Sequence, residues 1–245
     1  MEKHKAGGGK REKSPVFRIN SEISRPDPQI IAKFRQIPAA NISDAAGNLN
    51  TMDSGIQALV SGTKICGPAC TVSTRVGDFL AILQGLHAAR PGDVLVVGSQ
   101  GSPDVAVFGE ITSTEAKLKG LAGLVTDGWV RDIEGIRKIG FPVFARGTSP
   151  RVAGRGSLGE VNVPTNCGGI VVEPGDIVVG DADGVVVVPR LKAAEILRLS
   201  QDILKFEDAL VNKVRAGLSQ VEFFKLNEQF EALLRAHRKG HGKLD

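Results

Sequence analysis

The sequence is poor in aromatic residues, which limits the ways in which it could recognise nucleic acid. Its 245 residues include no tyrosine and a single tryptophan, Trp129. Proteins that bind single-stranded RNA stack bases on aromatic side chains, so a nucleic-acid partner is not expected. The net charge of +4 does not change this, because residues 1–13 and 235–245 each carry +3 and the body between them therefore carries −2. We interpret the two ends as solvated basic tails.

Disulfide bonds and membrane spans are not expected either. The three cysteines, Cys66, Cys70 and Cys167, are odd in number, and no signal-peptide pattern is seen, so we expect reduced thiols and a cytoplasmic protein. Cys66 and Cys70 have no second cysteine pair or nearby histidine, which favours buried thiols over a zinc site. No apolar run has the length of a bilayer span, so no membrane partner is expected.

Several common catalytic motifs are missing. The sequence has no Walker loop and no G-x-S-x-G elbow, and the glycines within residues 98–101 do not form a dinucleotide-binding fingerprint. A methyltransferase would need a cofactor-binding motif that is not found. His87 is the histidine between the two tails, and its place at a predicted helix end is typical of a dipole partner rather than a catalyst.

Through the body of the chain, apolar runs alternate with amphipathic segments, which indicates an α/β fold of one domain. Ser43 or Asp44 is expected to cap a short helix, and Gly62, Gly67 and Pro68 to break the first strand into pieces. The pattern predicts helices over residues 28–35, 78–89 and 132–139, and strands over 61–72, 94–97 and 142–145.

The last third of the chain departs from this alternation. Three β-branched runs at residues 170–172, 177–179 and 185–188 predict an antiparallel meander. A long amphipathic helix follows from 191 to about 216 and ends at Gly217, and a last helix is predicted over 220–238. Its apolar residues need a covering surface, for which a neighbouring subunit is a natural candidate. These apolar residues are Val221, Phe224, Leu226, Phe230, Leu233 and Leu234. We divide the chain into a disordered basic tail (1–15), an α/β catalytic domain (16–217) and a C-terminal helical extension (218–245).

The most informative segment is residues 109–132, GEITSTEAKLKGLAGLVTDGWVRD. Twenty residues separate Glu110 from Arg131, and Asp132 follows at once. A helix over 111–119, a glycine turn and a strand over 121–125 fit this length and return the chain near its start. We therefore expect the three side chains to converge in one pocket. A guanidinium beside two carboxylates suits a small oxo acid together with a hard metal ion.

This pattern of an acid, twenty residues and Arg-Asp resembles the 4-hydroxy-4-methyl-2-oxoglutarate/4-carboxy-4-hydroxy-2-oxoadipate aldolase family, which are class II pyruvate aldolases. The similarity extends over residues 42–45, 52–56, 67–72, 91–97, 140–150 and 173–189. It implies a layered α/β sandwich with a mixed sheet, similar to the swivelling phosphohistidine-type domain, and a trimeric ring or a hexamer of two rings. The family also contains non-catalytic relatives similar to the regulator of ribonuclease E activity, and the acid-x20-Arg-Asp motif distinguishes the aldolases from them.

The resemblance assigns roles to the residues of the motif. It implies that Asp132 binds Mg²⁺ or Mn²⁺, that Arg131 binds the oxo acid and stabilises its enolate, and that Glu110 holds a water of the metal and moves protons. The backbone amides of Ile111 and Thr112, next to Gly109, would receive a substrate carboxylate at the helix start.

Each role has a simpler alternative. Asp132 would serve as the N-cap of the next helix, and Glu110 would only complement a helix dipole. Arg131 would be a surface ion-pair partner. Glu207, which resembles a glutamate that in the aldolases reaches a neighbour's metal waters, would be a solvated residue on a helix flank. The loop 98–102 would place N–H groups around an anion, although relatives usually carry an acid and more glycines there.

The expected function is a divalent-metal-dependent aldolase that cleaves a 4-hydroxy-2-oxo acid, such as 4-hydroxy-4-methyl-2-oxoglutarate, to pyruvate and a second oxo acid. Oxaloacetate decarboxylation shares the pyruvate enolate and is expected as a side activity. Two alternatives stay open, an enzyme of another pathway acting on a related oxo acid, and a non-catalytic regulator of ribonuclease activity.

Overall fold

The structure, a computed structural model, describes residues 17–101 and 105–241, with side chains up to residue 237. The predicted basic tail over 1–15 and the end of the C-terminal extension lie outside this range. Helices α1 to α8 span Pro28–Phe34, Ala39–Ala45, Leu80–Ala88, Glu110–Leu118, Ile133–Ile139, Ala193–Arg215, Gln220–Phe223 and Leu226–His241, and a 3₁₀ turn over Arg190–Lys192 precedes α6. None of the helices described has the length and apolar content that crossing a membrane requires.

The described residues form thirteen strands, which are arranged in one large sheet and two small ones. Strands β1 to β13 span Gln57–Ala58, Ile65–Ser73, Val94–Gly98, Ala106–Phe108, Gly123–Thr126, Trp129–Val130, Val143–Ala145, Gly147–Thr148, Glu160–Val161, Thr165–Cys167, Ile170–Val172, Ile177–Asp181 and Gly184–Val188. The large sheet has the order β1-β7-β5-β3-β2-β12-β13, with β9 beside β2. Its central pairs β2–β3, β3–β5 and β5–β7 are parallel, and β1, β12 and β13 join antiparallel. The predicted α/β fold with a mixed sheet is confirmed.

Helices pack against more than one part of this sheet, so the buried residues form separate hydrophobic clusters. One buried cluster joins α3, α4 and α5 to the parallel strands. Another joins α1, α2 and α6 to β12 and β13. All three cysteines are free and buried, as predicted. Burial raises the pKa of the Cys66 thiol to about 11 and that of Cys70 to about 12, so both are packing groups at neutral pH.

Two predictions near the amino-terminal end of the body were wrong. Strand β2 runs unbroken through Gly67 and Pro68. The strand can contain Pro68, which lacks an N–H, because the pairing of β2 with β3 begins only at the next residue, Ala69. Ser43 and Asp44 do not cap a helix but lie inside α2. The first N–H of α2, at Ala39, instead donates to Asp181 Oδ2 at 2.9 Å, an acceptor 142 residues away.

The predicted meander is only partly present. Strands β12 and β13 form an antiparallel hairpin, but β11 pairs with β10 instead of β12. Gly168 and Gly169, with φ of 60° and 82°, form the two-residue turn between β10 and β11, a conformation that glycine adopts readily. The other side of β12 pairs with β2, which leaves no place for β11 there.

The predicted last helix is divided into α7 and α8. Lys225, with φ of 52°, interrupts it. Ser219 begins α7 through a capping box, in which its Oγ accepts from the Glu222 N–H at 3.2 Å and its own N–H donates to the Glu222 carboxylate at 3.0 Å. Before the break, Phe223 packs on Phe206 of α6, with ring centroids 6.1 Å apart. The prediction that Gly217 ends the long helix is confirmed, with φ of 98°.

Candidate active site

The residues of the 109–132 segment meet at the edge of the small sheet β4-β6-β8. Strands β4 and β6 are parallel neighbours. Helix α4 begins directly after β4, and α5 directly after β6. Because the carboxyl ends of parallel strands lie at the same sheet edge, the starts of both helices are brought together there. The backbone of Glu110 lies beside the Asp132 carboxylate there, but the Glu110 side chain is not among the residues that line the cavities at Arg131 and Asp132.

Arg131 and Asp132 are in direct contact. Arg131 Nε lies 3.2 Å from each carboxylate oxygen of Asp132, and the backbone N–H of Glu110 donates to Asp132 Oδ2 at 3.4 Å. A Cβ at Gly109 would lie 2.7 Å from that oxygen, so any other residue there would require the Asp132 side chain to shift. The side chains of Arg131 and Asp132 are 39% and 37% exposed, which keeps both accessible to a ligand.

Asp132 does not act as the side-chain cap of α5. It occupies the N-cap position, but its carboxylate makes no hydrogen bond to the helix, and its backbone is left-handed with φ of 57° and ψ of 37°. Non-glycine residues rarely adopt this conformation, although aspartate and asparagine tolerate it better than most. Such local strain is concentrated at functional sites, where the surroundings enforce it. The capping alternative is therefore wrong for the carboxylate, which is directed at Arg131 and the start of α4.

Glu110 reaches across to α5. It is the first residue of α4, and its carboxylate packs against Gly135, where a Cβ would lie only 2.2 Å from Glu110 Oε2. Gly135 is in the first turn of the helix that follows Asp132. The Glu110 carboxylate therefore lies against the first turn of α5, whereas the Arg131 guanidinium contacts the carboxylate of Asp132.

The start of α4 offers backbone N–H groups to the same junction. The first intrahelical bond runs from the Ser113 N–H to the Gly109 carbonyl at 2.9 Å. The N–H groups of Ile111 and Thr112 precede it, in the turn where a helix has no internal acceptors. Thr112 Oγ1 accepts from the Gly109 N–H at 3.0 Å and so fixes the turn.

A cavity of about 380 Å³ opens over these residues. Its polar lining includes Arg131, Asp132, Thr112 and Gly109, the residues predicted to bind substrate or metal, together with Arg155 and Glu115. Phe79, Leu83, Ala106, Val107, Phe108, Ile111 and Val152 form its apolar walls. A second, smaller hollow on the other side of Arg131 and Asp132 is lined by Ile133, Thr148, Ser149 and Pro150.

Comparison with known proteins places this arrangement in a family. Residues 39–187 match the family described as RraA-like, Aldolase/RraA. A protein of Halalkalibacterium halodurans named "Putative 4-hydroxy-4-methyl-2-oxoglutarate aldolase" is 40% identical over 176 residues, which cover 72% of this chain and 84% of that protein. The chain belongs to the Aldolase/RraA family.

Two further relatives show the breadth of the Aldolase/RraA family. An uncharacterized protein of Methanocaldococcus jannaschii is 37% identical over 188 residues, or 75% of this chain and 88% of that protein. The crystal structure of Streptomyces coelicolor RraAS2, described as an unusual member of the RNase ES inhibitor RraA protein family, superimposes with a TM-score of 0.69 at 34% identity, covering 76% of this chain and 98% of that one. The family thus includes proteins named for two different activities.

The loop that follows β3 was predicted to place N–H groups around an anion. In the structure it binds the carboxylate of another residue of the chain, Asp127. The Ser99 N–H and Oγ both donate to Asp127 Oδ1, at 2.7 and 2.9 Å. A Cβ at Gly128 would lie 2.4 Å from Ser99 Oγ, so the turn is closely packed. This contact fixes the turn through which the chain leaves β5 for β6, and so positions Arg131 and Asp132. Sequence reasoning missed this role; the only local signal was the polar Ser99 directly after a buried strand.

Glu207 lies elsewhere in the protomer. It is on α6, and its Oε2 accepts from Asn41 Nδ2 of α2 at 2.5 Å. It does not line the cavity over Arg131. Within one chain, Glu207 and the other predicted catalytic residues are therefore not brought together.

Proposed function

We propose that the protein is a divalent-metal-dependent aldolase that cleaves a 4-hydroxy-2-oxo acid, such as 4-hydroxy-4-methyl-2-oxoglutarate, to pyruvate and a second oxo acid. The observation that carries this proposal is the contact of Arg131 with Asp132 at the junction where Glu110 and the start of α4 also meet. The 40% identity to the named aldolase supports it.

Asp132 is the residue proposed to hold the metal. Among the described residues no three His, Cys, Asp or Glu side chains are grouped as a metal site. A single accessible carboxylate instead suits Mg²⁺ or Mn²⁺, hard cations that bind through one or two carboxylates and keep several waters. When bound, such an ion would polarise the keto oxygen of the substrate.

Arg131 is placed to bind the oxo acid. Its Nε faces Asp132, and within the described residues its two terminal nitrogens make no hydrogen bond. Those nitrogens can donate to the substrate's carboxylate and keto oxygens. Breaking the C3–C4 bond leaves its electron pair on the pyruvate fragment, and a fixed guanidinium stabilises the enolate oxygen as its negative charge develops.

Glu110 is the proposed proton carrier. Cleavage requires the loss of the proton on the C4 hydroxyl, and the enolate must later gain a proton at C3. The Glu110 carboxylate lies at the same junction and can accept the first proton, directly or through a water, and return it. The N–H groups of Ile111 and Thr112, in the first turn of α4, would orient the carboxylate of the substrate during both steps.

Decarboxylation of oxaloacetate is proposed as a side activity. Loss of its C4 carboxylate as CO₂ generates the same pyruvate enolate, so Arg131 would stabilise both reactions. This reaction has no hydroxyl proton to remove, and Glu110 would be needed only to protonate the enolate.

A pyruvate assay tests the proposed function. With a lactate dehydrogenase couple and a panel of oxo acids, we expect pyruvate from 4-hydroxy-4-methyl-2-oxoglutarate and oxaloacetate with Mg²⁺ or Mn²⁺, and loss of both activities in EDTA that added metal restores. Full activity in excess chelator would contradict the metal-dependent reaction. No pyruvate from any substrate, together with inhibition of a ribonuclease, would instead favour the regulator function named for the Streptomyces relative.

A homo-oligomer, a trimer or a hexamer, is proposed because exposed apolar side chains surround Glu207. Phe206, Val211 and Val214 are 50%, 46% and 41% exposed on α6, and Glu207 lines an apolar hollow with Leu210 and Val211. A surface of this kind is suited to a second copy of the chain. Glu207 would then reach the active site of that neighbour.

Subunit mixing tests this shared site. Asp132→Asn and Glu207→Gln homo-oligomers are each expected to be inactive, because every site lacks one residue. After subunit exchange, some interfaces combine an intact Asp132 with an intact Glu207, and activity should return. A Glu207→Gln protein that is fully active alone would refute the shared site, as would no recovery after exchange has been verified by mass spectrometry.

A further inference from the structure

The chain passes from the large sheet to the small sheet β4-β6-β8 at two neighbouring places, and Arg146 lies at one of them. Strand β5 continues into β6 through the Asp127-Gly128 turn, and β7 continues into β8 through Arg146. Strands β5 and β7 are parallel neighbours in the large sheet, and β6 and β8 are parallel neighbours in the small one. The two connections therefore lie side by side, and one of them is the turn that leads to Arg131 and Asp132.

Arg146 makes two hydrogen bonds to this turn. Its backbone N–H donates to the Gly128 carbonyl at 3.1 Å, and its side-chain Nε donates to the Asp127 carbonyl at 3.0 Å. Asp127 is buried, with 6% of its surface exposed. A buried carbonyl that loses a donor costs free energy, so without the Arg146 side chain the turn would move to recover one. The position of the turn therefore depends on this side chain as well as on the pairing of the strands.

A second residue, Asp53, fixes the same guanidinium. Arg146 Nη2 donates to Asp53 Oδ2 at 3.0 Å, and Asp53 Oδ1 accepts from the Gly55 N–H at 2.7 Å. The Gly55 N–H and then the Arg146 guanidinium lower the pKa of Asp53, so its carboxylate is charged at neutral pH. The side chains of Arg146 and Asp53 are 30% and 46% exposed, and ion pairs this exposed add little stability. The pair therefore serves mainly to orient the guanidinium.

Strand β6 connects the position of the turn to the site. It contains only Trp129 and Val130 and leads directly to Arg131 and Asp132. Strand β8, which follows Arg146, pairs with it, and the Ser149 N–H donates to the Val130 carbonyl at 2.9 Å. The backbone of Asp132 is left-handed, with φ of 57°, and such a conformation persists only where its surroundings enforce it. A displaced turn would therefore change the direction of the Asp132 carboxylate.

We propose that Arg146 is a positioning residue of the active site. It holds the Asp127-Gly128 turn, and Asp53 holds Arg146, so that Asp132 keeps the orientation in which it would bind the metal. The role of Asp132 in this proposal rests on the proposed function. Arg146 lines neither of the cavities at Arg131, so it would act through the turn and not by contact with the substrate.

The fluorescence of Trp129 tests this proposal in the protein without metal. Trp129 is the single tryptophan of the chain and follows the turn directly. Its ring packs on Gly147 of β8, where an added Cβ would clash with the ring. Arg146→Met should shift the emission to longer wavelength and speed its quenching by acrylamide, because the ring loses its fixed place beside β8.

Mn²⁺ binding, followed by electron paramagnetic resonance, tests the connection to the site. Arg146→Met should weaken Mn²⁺ binding about 10-fold, at the lower end of the losses found for residues that orient a metal ligand. Asp53→Asn removes the charge that faces Arg146 and should change both readouts in the same direction, by less. Its exposed position keeps the test available if Arg146→Met does not fold. Combining the two substitutions should add nothing to Arg146→Met, because Asp53 acts through Arg146.

Arg190→Met is the matched control. Arg190 Nη1 donates to the Pro174 carbonyl at 3.2 Å and lies 3.7 Å from Asp176 Oδ1, and its side chain is 31% exposed. The variant therefore loses contacts of the same kind as Arg146→Met, but between β13 and α6. It should leave Trp129 fluorescence and Mn²⁺ binding unchanged.

Three results would overturn the proposal. They are wild-type fluorescence of Trp129 in Arg146→Met, a change in fluorescence without a loss of Mn²⁺ affinity, and equal effects of Arg190→Met. The two readouts also separate this proposal from the proposed function. A wild-type protein that binds no Mn²⁺ would refute the metal site, and Trp129 would still report whether Arg146 holds the turn. An active, metal-dependent aldolase in which Arg146→Met changes neither readout would refute the positioning role alone.

Discussion

Asp132→Asn is expected to lower metal-dependent pyruvate formation about 10³-fold while the fold is retained, because a bound divalent ion contributes several kcal/mol of transition-state stabilisation. Asparagine removes the charge that would hold the cation. It is also one of the few residues that tolerate the left-handed backbone found here, with φ of 57°. Helix α5 should lose nothing, since the Asp132 carboxylate makes no capping hydrogen bond.

Two measurements make this result specific. Thermal unfolding should give nearly the same midpoint for the variant and the wild type without metal, and Mn²⁺ binding, followed by electron paramagnetic resonance, should be lost in the variant. An Asn variant that still binds Mn²⁺ and turns over at the wild-type rate would remove Asp132 from the metal site. A variant that is inactive only because it unfolds would have a lowered midpoint of thermal unfolding.

The local part of the site could be predicted from the sequence because its signals are local. Glycine turns and short apolar runs determine where the chain reverses, so the return of the chain from the start of α4 to Asp132 follows from their spacing. The left-handed conformation of Asp132 could not be predicted in this way. The contact of its carboxylate with Gly109, 23 residues earlier in the chain, is equally absent from any local pattern.

The wrong prediction of the cap of α2 has a different cause, which is contact between residues far apart in the chain. Asp181 supplies the acceptor at the start of α2, and its distance along the sequence hides it from any local pattern. The contact of Asp127 with Ser99 is of the same kind. The missed pairing of β10 with β11 has another cause. Gly168-Gly169 between two apolar positions is a local sequence signal for a hairpin. It was missed because β11 was grouped with the β-branched runs that follow it.

Arg131→Lys is expected to lower kcat about 100-fold and to raise KM, in the range found when one donor to a developing oxyanion is lost. The guanidinium contacts Asp132 through Nε, which leaves two terminal nitrogens for the substrate. A lysine has one nitrogen and cannot make both sets of contacts in the same geometry. The effect on kcat follows because the contact strengthens as charge moves to the enolate oxygen.

Steady-state kinetics at saturating Mg²⁺ measure both constants. Arg151→Lys is the matched control and should leave them unchanged, because Arg151 is exposed and does not line the cavity. A rise in KM alone would confine Arg131 to ground-state binding, and unchanged kcat and KM would return it to the surface ion pair considered from the sequence. Equal losses with 4-hydroxy-4-methyl-2-oxoglutarate and oxaloacetate would show that Arg131 acts on the enolate, which both reactions share. A loss confined to the hydroxy acid would instead place its contribution at the C4 hydroxyl, before the enolate forms.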